Sequence, residues 1–351
     1  ALNHTVQSGP CLVVCPATVL MQWVREVKRW APEIAPVKLL HHSHGGADPV
    51  DRIATVRSVV RAHGGGGLCS VLVTSYELVR MQPDLLLGAA WQYVVLDEGH
   101  KIRNPDAEIT QLCKRFATRH RLLLTGAPIQ NKLTELWSLF DFVMPGKLGA
   151  MPTFEEQFAL PIAQGTYANA SEFSVQAACS CSMILRDVIR PYLLRRLKND
   201  VRIKLPDKTE TVLFCYLTEL QRQAYEDILS SELATSVLAN RTAVFPLLTS
   251  LQKVCNHPHL VTWTANAASP PHDETWGDWR LSGKLRVLKA VLRVWYAEGH
   301  RVAIFCQTRQ MLDVVECFVR SRYNYQRLDG TTPVARRLGL IDRFNADADI
   351  F

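Results

Sequence analysis

An α/β fold, a parallel sheet with helices wound onto both faces, is predicted from two observations. Short continuous apolar runs at 11–15, 70–75, 94–96 and 122–124 each empty into a polar or Gly/Pro-punctuated loop. Strands buried on both faces read in that unbroken way, whereas half-exposed strands alternate. A segment of helical character follows each run, the alternation expected when crossover helices join parallel strands. In such a sheet the site is expected at the loops where the strands' carboxyl ends open. With 351 residues and 48% hydrophobic content, the chain can bury two sizeable cores.

The first run ends at Pro16 and leads into ATVLMQWVREVKRW at 17–30. Leu20, Trp23, Val24, Val27 and Trp30 fall on one helical stripe predicted to face the core, with the basic residues mostly off it. Thr18 stands at an N-cap position, where free backbone N–H groups can take a phosphate. Four glycines, 64–67, precede the second run. A phosphate loop needs Gly-Lys-Ser/Thr opening a helix, and here Leu68-Cys69-Ser70 opens a strand, so a flexible surface linker is expected.

Beyond 131 the pattern changes to long amphipathic segments rich in Leu, Phe and Trp, expected to be helical as far as 260. Loops are expected at Pro145-Gly146-Lys147, Pro152 and Pro161. Residues 262–281, with Pro-Pro, Ala, Asp and Gly, read as an exposed linker, unless its three tryptophans dock on a neighbouring surface. At Ser282 a second α/β unit opens with a helix, a strand over 301–306, a helix from Thr308 and a strand over 325–328. Ser282-Gly283-Lys284 lacks the upstream glycines and the preceding strand of a phosphate loop. The expected domain limits are 1–150, 151–261 (helical), 262–281 (linker) and 282–351.

A net charge of +7 and a pI near 8.9 are mildly basic, so the clustering says more than the total. Arg25, Lys28 and Arg29 share one helix, and Arg186, Arg190, Arg195, Arg196, Lys198, Arg202 and Lys204 follow one another closely. Such a group is either a solvated face or a surface that tracks phosphates. Ten cysteines without a C-x-x-C pair point to a reducing compartment. With no signal peptide and no bilayer-length apolar run, a membrane partner is not expected. Neither His41, His42 and His44 nor Cys255, His257 and His259 has a second half at zinc spacing.

The chemistry concentrates at Asp97-Glu98-Gly99-His100, where an apolar strand runs straight into two carboxylates. In a nucleotide hydrolase the first would hold Mg²⁺, directly or through water, and the second would orient or deprotonate the water attacking the γ-phosphate. An isolated acidic pair is more often a surface turn. The second strand-to-loop match at 122–131, LLLTGAPIQN, favours the site.

These residues resemble the Swi/Snf-type branch of the superfamily 2 helicase-like ATPases, which are DNA translocases and remodellers. Residues 16–23 are similar to its motif Ia, Thr74-Ser75-Tyr76 to Ib, 97–100 to II and 125–131 to III. ELWSLFDFVMPGKLG, RPYLLRRLKNDV and KVCNHPHL most resemble the Cockayne syndrome group B subfamily, which acts in transcription-coupled repair. The resemblance implies a RecA-like first lobe with a helical insertion, then the truncated start of a second RecA-like lobe. It implies ATP and Mg²⁺ as cofactors, double-stranded DNA as partner, RNA polymerase II or nucleosomes as targets, and a nuclear location.

Residue by residue, the resemblance makes Asp97 the Mg²⁺ ligand, Glu98 the residue for the hydrolytic water, and His100 either a coupler to motif III or a loop cap. Thr125, Gly126 and Gln130 would sense phosphate state and cleft closure. Thr18, Gln22, Thr74, Ser75, Lys101, Arg103 and Asn104 become DNA or loop contacts. In the second lobe Gln307 and Arg309 are similar to motif IV and Asp329, Gly330 and Thr331 to motif IVa, which implies DNA-backbone and lobe-closure contacts. Arg195 and Arg196 would brace the lobes or form surface salt bridges. G-x-x-x-x-G-K-[ST] does not occur and motifs V and VI are missing, so a fragment of a longer polypeptide with negligible hydrolysis of its own is expected. Two rivals are a DExH RNA helicase, whose motif III is usually Ser/Thr-Ala-Thr, and a catalytically dead scaffold binding DNA or polymerase.

Overall fold

The computed structural model describes residues 9–41, 49–62, 69–126, 132–197, 200, 206, 208–240, 244–262 and 276–351. The chain divides into two compact units, Ala1–Lys204 and Leu205–Phe351. That boundary falls inside the stretch expected to be one helical block, so its helices are shared between the two units.

In the first unit, strands and helices alternate as β1 (Pro10–Cys15), α1 (Leu20–Trp30), β2 (Val37–Leu40), α2 (Pro49–Ala62), β3 (Ser70–Ser75), α3 (Tyr76–Met81), α4 (Pro83–Leu87), β4 (Tyr93–Asp97), α5 (Glu108–Lys114) and β5 (His120–Leu124). All pairings are parallel and the order is β2-β3-β1-β4-β5. The period-two geometry of a strand divides β1 between two cores. Leu12 and Val14 join Leu72, Val94, Leu96 and the helical residues Val56, Val59, Leu112 and Phe142. Val13 and Cys15 join Val71, Val73, Leu20 and the half-buried Trp23, Val24 and Val27 on the other face. Each buried Val or Leu contributes roughly 1.5–3 kcal/mol. Helices therefore cover both faces, as the sequence predicts.

Differences lie at the margins of this frame. Sequence reading missed β2, a four-residue edge strand whose short VKLL run includes an exposed lysine. Trp30, placed on the core stripe, is 75% exposed at the end of α1 and donates its indole N–H to Glu26. The edge strand β5 is less buried than its apolar run suggests, with Leu122 and Leu124 exposed. The glycines at 64–67 lie outside the described residues.

Helices α6 (Leu133–Val143), α7 (Met151–Phe154), α8 (Leu160–Gly165) and α9 (Glu172–Ile189) complete the unit. Leu136, Phe140, Phe154 and Leu185 make their core. Pro152 and Pro161, expected in loops, instead sit in the first turns of α7 and α8, which a π-helical stretch, Glu155–Ala159, joins. A proline at a helix start gives up an N–H that has no intrahelical partner there.

The second unit contains α10 (Glu219–Leu229), α11 (Glu232–Asn240), α12 (Val244–Asn256), α13 (His259–Thr262), α14 (Gly283–Ala297), α15 (Arg309–Val319) and α16 (Val334–Ala346). Leu260, Trp276, Leu285, Leu292, Val314, Val315, Phe318 and Val319 form its core. The strands expected over 301–306 and 325–328 are absent as paired elements: Val302, Ile304 and Cys306 pack inward and their neighbours outward, yet no ladder joins the segments. Period-two burial needs only one apolar face, whereas a strand also needs a hydrogen-bonded neighbour. Most of the expected linker lies outside the described residues, but its end is packed, with Trp276 in the core and Trp279 against it.

The fully buried Gln221 joins these pieces. Its amide donates to Val254 O at 2.7 Å, and its Oε1 accepts from Gly283 N at 2.9 Å and Thr218 N at 3.2 Å. Gly283 has no room for a side chain, because a Cβ would collide with the Tyr216 carbonyl. Ser282, tempting as part of a phosphate motif, is buried and caps α14.

Candidate nucleotide site

Cys15 and Asp97 end the neighbouring strands β1 and β4, while the chain crosses to the opposite side of β1 between β3 and β4. Such a switch point leaves a crevice between loops leading in opposite directions. Asp97 stands opposite Leu124 in the β4–β5 register, so Thr125 follows beside Glu98. The acid doublet and the start of the TGAPIQN loop thus leave the sheet side by side, half-buried at Asp97 and Thr125 and exposed at Glu98 and Gly126. Gln130, the remaining residue of that loop given a role, lies outside the described residues.

Both oxygens of Asp97 are held. Oδ1 accepts from the Glu98 N–H at 2.9 Å and Oδ2 from the Trp23 indole N–H at 2.8 Å. The Asp97 carbonyl accepts from Tyr76 OH at 2.7 Å. Burial pushes the Tyr76 phenol far up, with Cys113 and Asp97 adding to it, so it stays a neutral donor. Burial, and then Asp97, pushes the Cys15 thiol up to about 12, which rules it out as a nucleophile at neutral pH.

Glu98 adopts φ 52° and ψ 49°, the one positive φ outside glycine among the described residues. That left-handed geometry turns the chain at once into a 3₁₀ turn, Gly99–Ile102, and leaves the Glu98 carboxylate 3.2 Å from His100 Nδ1. A strained non-glycine residue of this kind persists where the surroundings over-determine it, a frequent property of functional sites. Gly99 is buried against the Leu123 side chain, which a Cβ would strike, so the turn rests directly on β5.

Behind the turn, Ser138 donates to Ile102 O at 2.7 Å, Thr110 to Asn104 O at 2.6 Å, and Asn104 Oδ1 accepts from Asp106 N at 3.0 Å. Helices α5 and α6 thereby hold the segment rigidly. Mg²⁺ takes one or two carboxylates together with waters and substrate phosphates, not a closed protein cage. A single strand-end carboxylate whose oxygens each retain a lone pair fits that role, and among the described residues no cluster of three or more metal-ligating side chains occurs.

Several residues given DNA roles are occupied inside the fold. Thr74 is buried and donates to Leu40 O at 3.0 Å; Ser75 is buried and caps α3 through Leu78 N. Both hydroxyls are used on nearby backbone, as is usual where a strand turns directly into a helix. Thr18 is not an N-cap either: it lies exposed in the 3₁₀ turn Ala17–Val19, and Val19 precedes α1 without a side-chain cap. Gln22 donates to Glu26 Oε1 at 2.6 Å.

Lys101 is exposed, and Arg103 is half-buried at the rim of a polar cleft of about 580 Å³ that Asn104, Lys114 and Asp141 also line. Arg195 and Arg196 are exposed in the irregular segment after α9.

In the second unit Gln307 and Arg309 are exposed at the start of α15, which Thr308 caps. Asp329 is committed internally: it accepts from Thr331 and pairs with Arg327 at 2.7 Å, and Arg327 also holds Asp313 and Glu316, each at 2.6 Å. The Thr331 hydrogen bond, followed by Arg327, holds its carboxyl at about 2. Asp329 is thus tied into a bracing network with Arg327, while Gly330 and Thr331 are exposed.

Sequence reasoning treated Trp23 as core, named Tyr76 only within the motif Ib match and overlooked Gln221. An indole or phenol in an apolar stripe still needs a partner for its polar tip, and that requirement was the available signal.

Residues 2–260 match the SNF2-related domain, and residues 283–351 match the helicase conserved C-terminal domain. The chain is 46% identical to the DNA excision repair protein ERCC-6 of Mus musculus, covering 98% of this chain and 23% of that protein. It is 40% identical to the DNA repair and recombination protein RAD26 of Saccharomyces cerevisiae, covering 100% of this chain and 36% of that one. A solved Sulfolobus solfataricus SWI2/SNF2 ATPase core in complex with dsDNA is similar at 26% identity and TM-score 0.46, over 98% of this chain and 66% of that chain. The chain thus spans well under half the length of the two repair proteins, and its match over 2–260 places it in the SNF2-related domain family.

Proposed function

We propose that the chain is part of an ATP-dependent double-stranded DNA translocase or chromatin remodeller that acts in transcription-coupled repair in the nucleus, on RNA polymerase II or nucleosomes. The observation that carries this reading is the meeting of Asp97-Glu98 and Thr125-Gly126 at adjacent strand ends. The repair names of the relatives support the biological setting.

When bound, ATP with Mg²⁺ supplies the phosphoryl group to be hydrolysed and the positive charge that faces it. Asp97 is the carboxylate for the metal's shell, prealigned by Trp23 and its own turn. Glu98, on its left-handed backbone, orients and deprotonates water, and His100 at 3.2 Å keeps that carboxylate directed. Thr125, Gly126 and Gln130 respond to phosphate state. Thr18, Gln22, Lys101, Arg103 and Asn104, with Gln307, Arg309, Gly330 and Thr331, contact the sugar-phosphate backbone, and no base contact is needed for movement along the duplex. Arg195 and Arg196 take the interlobe brace.

The test is Glu98→Gln in the full-length protein. DNA-stimulated ATP turnover is expected to fall about 10²-fold or more, with duplex affinity little changed. Unchanged turnover would remove Glu98 from the chemistry. A wild-type protein that binds duplex DNA without any turnover would instead establish the scaffold, and preference for duplex RNA in competition would establish an RNA helicase.

A further inference from the structure

We propose that Trp23 is a positioning residue that links the exposed, basic side of α1 to the carboxylate of Asp97. The inference rests on the reading above, in which Asp97 faces the metal and α1 faces DNA. Of the two bonds to the Asp97 side chain, the one from Glu98 N is local, made by the turn itself. The other, from Trp23 Nε1, crosses 74 positions of sequence and joins a helix to a strand end.

Trp23 is well built for such a link. Its ring packs in the core beneath α1, one turn beyond the fully buried Leu20 that anchors the helix on the sheet. The indole is planar and rigid, and its N–H donates only, with no second option as a hydroxyl or amide would have. A small rotation or slide of α1 is therefore transmitted to Oδ2 as a change in hydrogen-bond geometry. Lys28 and Arg29, on the same helix, are exposed. A duplex pressing on that side moves the element that carries the Trp23 donor. Activation by DNA then needs no contact between the duplex and the nucleotide pocket.

The alternative is that Trp23 fills space and its N–H takes the nearest acceptor. Trp23→Phe separates the two, since it retains an aromatic ring and removes the donor. Two measurements apply. In the 351-residue chain labelled with ¹⁵N-tryptophan, the Trp23 indole N–H signal is identified by its loss in Trp23→Phe. It is expected to move on Asp97→Ala and, in the wild type, on adding a short duplex. In the full-length protein, Trp23→Phe is expected to lower the ratio of DNA-stimulated to basal hydrolysis by about 2- to 30-fold, the span over which coupling residues act, with duplex affinity within about twofold of wild type.

An indole signal indifferent to Asp97→Ala, or one indifferent to bound duplex, overturns the proposal, as does an unchanged stimulation ratio. Failure of the underlying reading is seen separately, as wild-type protein that does not bind duplex or Glu98→Gln that retains full turnover.

Discussion

Glu98 shows how one residue carries two opposed demands. Its left-handed backbone, at φ 52°, is where glycine would sit with least strain, yet the proposed function needs its carboxylate for the hydrolytic water. Glu98→Gly is therefore expected to raise the stability of the first unit by up to about 1 kcal/mol, relieving strain of the size such residues store, while abolishing turnover in the full-length protein. Urea midpoints compared with those of Glu98→Ala, which keeps the strain, check this. Gly99 has the reverse constraint: Gly99→Ala drives a methyl into Leu123 and is expected to cost about 1–3 kcal/mol. Asp97 and Glu98 were legible from sequence as a candidate site because a second apolar run, at 122–124, also empties into a polar loop. The strain at Glu98 was not, because nothing in its neighbours' identities dictates φ.

At the level of elements, helix starts and strand ends use their hydroxyls on the backbone. Ser75→Ala is expected to lose about 1 kcal/mol through the lost cap of α3 and to leave duplex affinity unchanged, measured by thermal unfolding and fluorescence anisotropy on the same samples. A drop in affinity at constant stability would return Ser75 to the DNA face. In the second unit, His257 and His259 tie the end of α12 and the start of α13 to the segment before α14. His257 Nδ1 accepts from His259 N at 3.2 Å, which leaves Nε2 to donate to Asp278 O at 3.0 Å.

Burial, then His259, lowers the His257 pKa, so the folded state holds the ring neutral. A folded pKa below the unfolded value near 6.5 means the unfolded state takes up the proton first. The contribution is thus fully present above about pH 6.5 and is lost as the pH falls below it. Denaturation midpoints of the second unit are expected to decline from pH 7.5 to 5.5, and His257→Gln to flatten that dependence.

For the molecule as a whole, the proposed binding through phosphates predicts an affinity that is sequence-tolerant and salt-sensitive. With three or more phosphate contacts, duplex affinity is expected to fall more than about tenfold between 50 and 200 mM salt, and a flat salt response would refute backbone tracking. The parallel sheet, its two-faced burial and the acids at a strand end could be read from the amino acids, because apolar runs and chain-local turns are written in consecutive residues. The edge strand β2, the inward-turned Thr74, Ser75 and Asp329, the Gln221 hub and the Trp23–Asp97 bond could not. Each depends on which distant backbone or side chain lies within about 3 Å, and that proximity exists only once the chain has closed on itself.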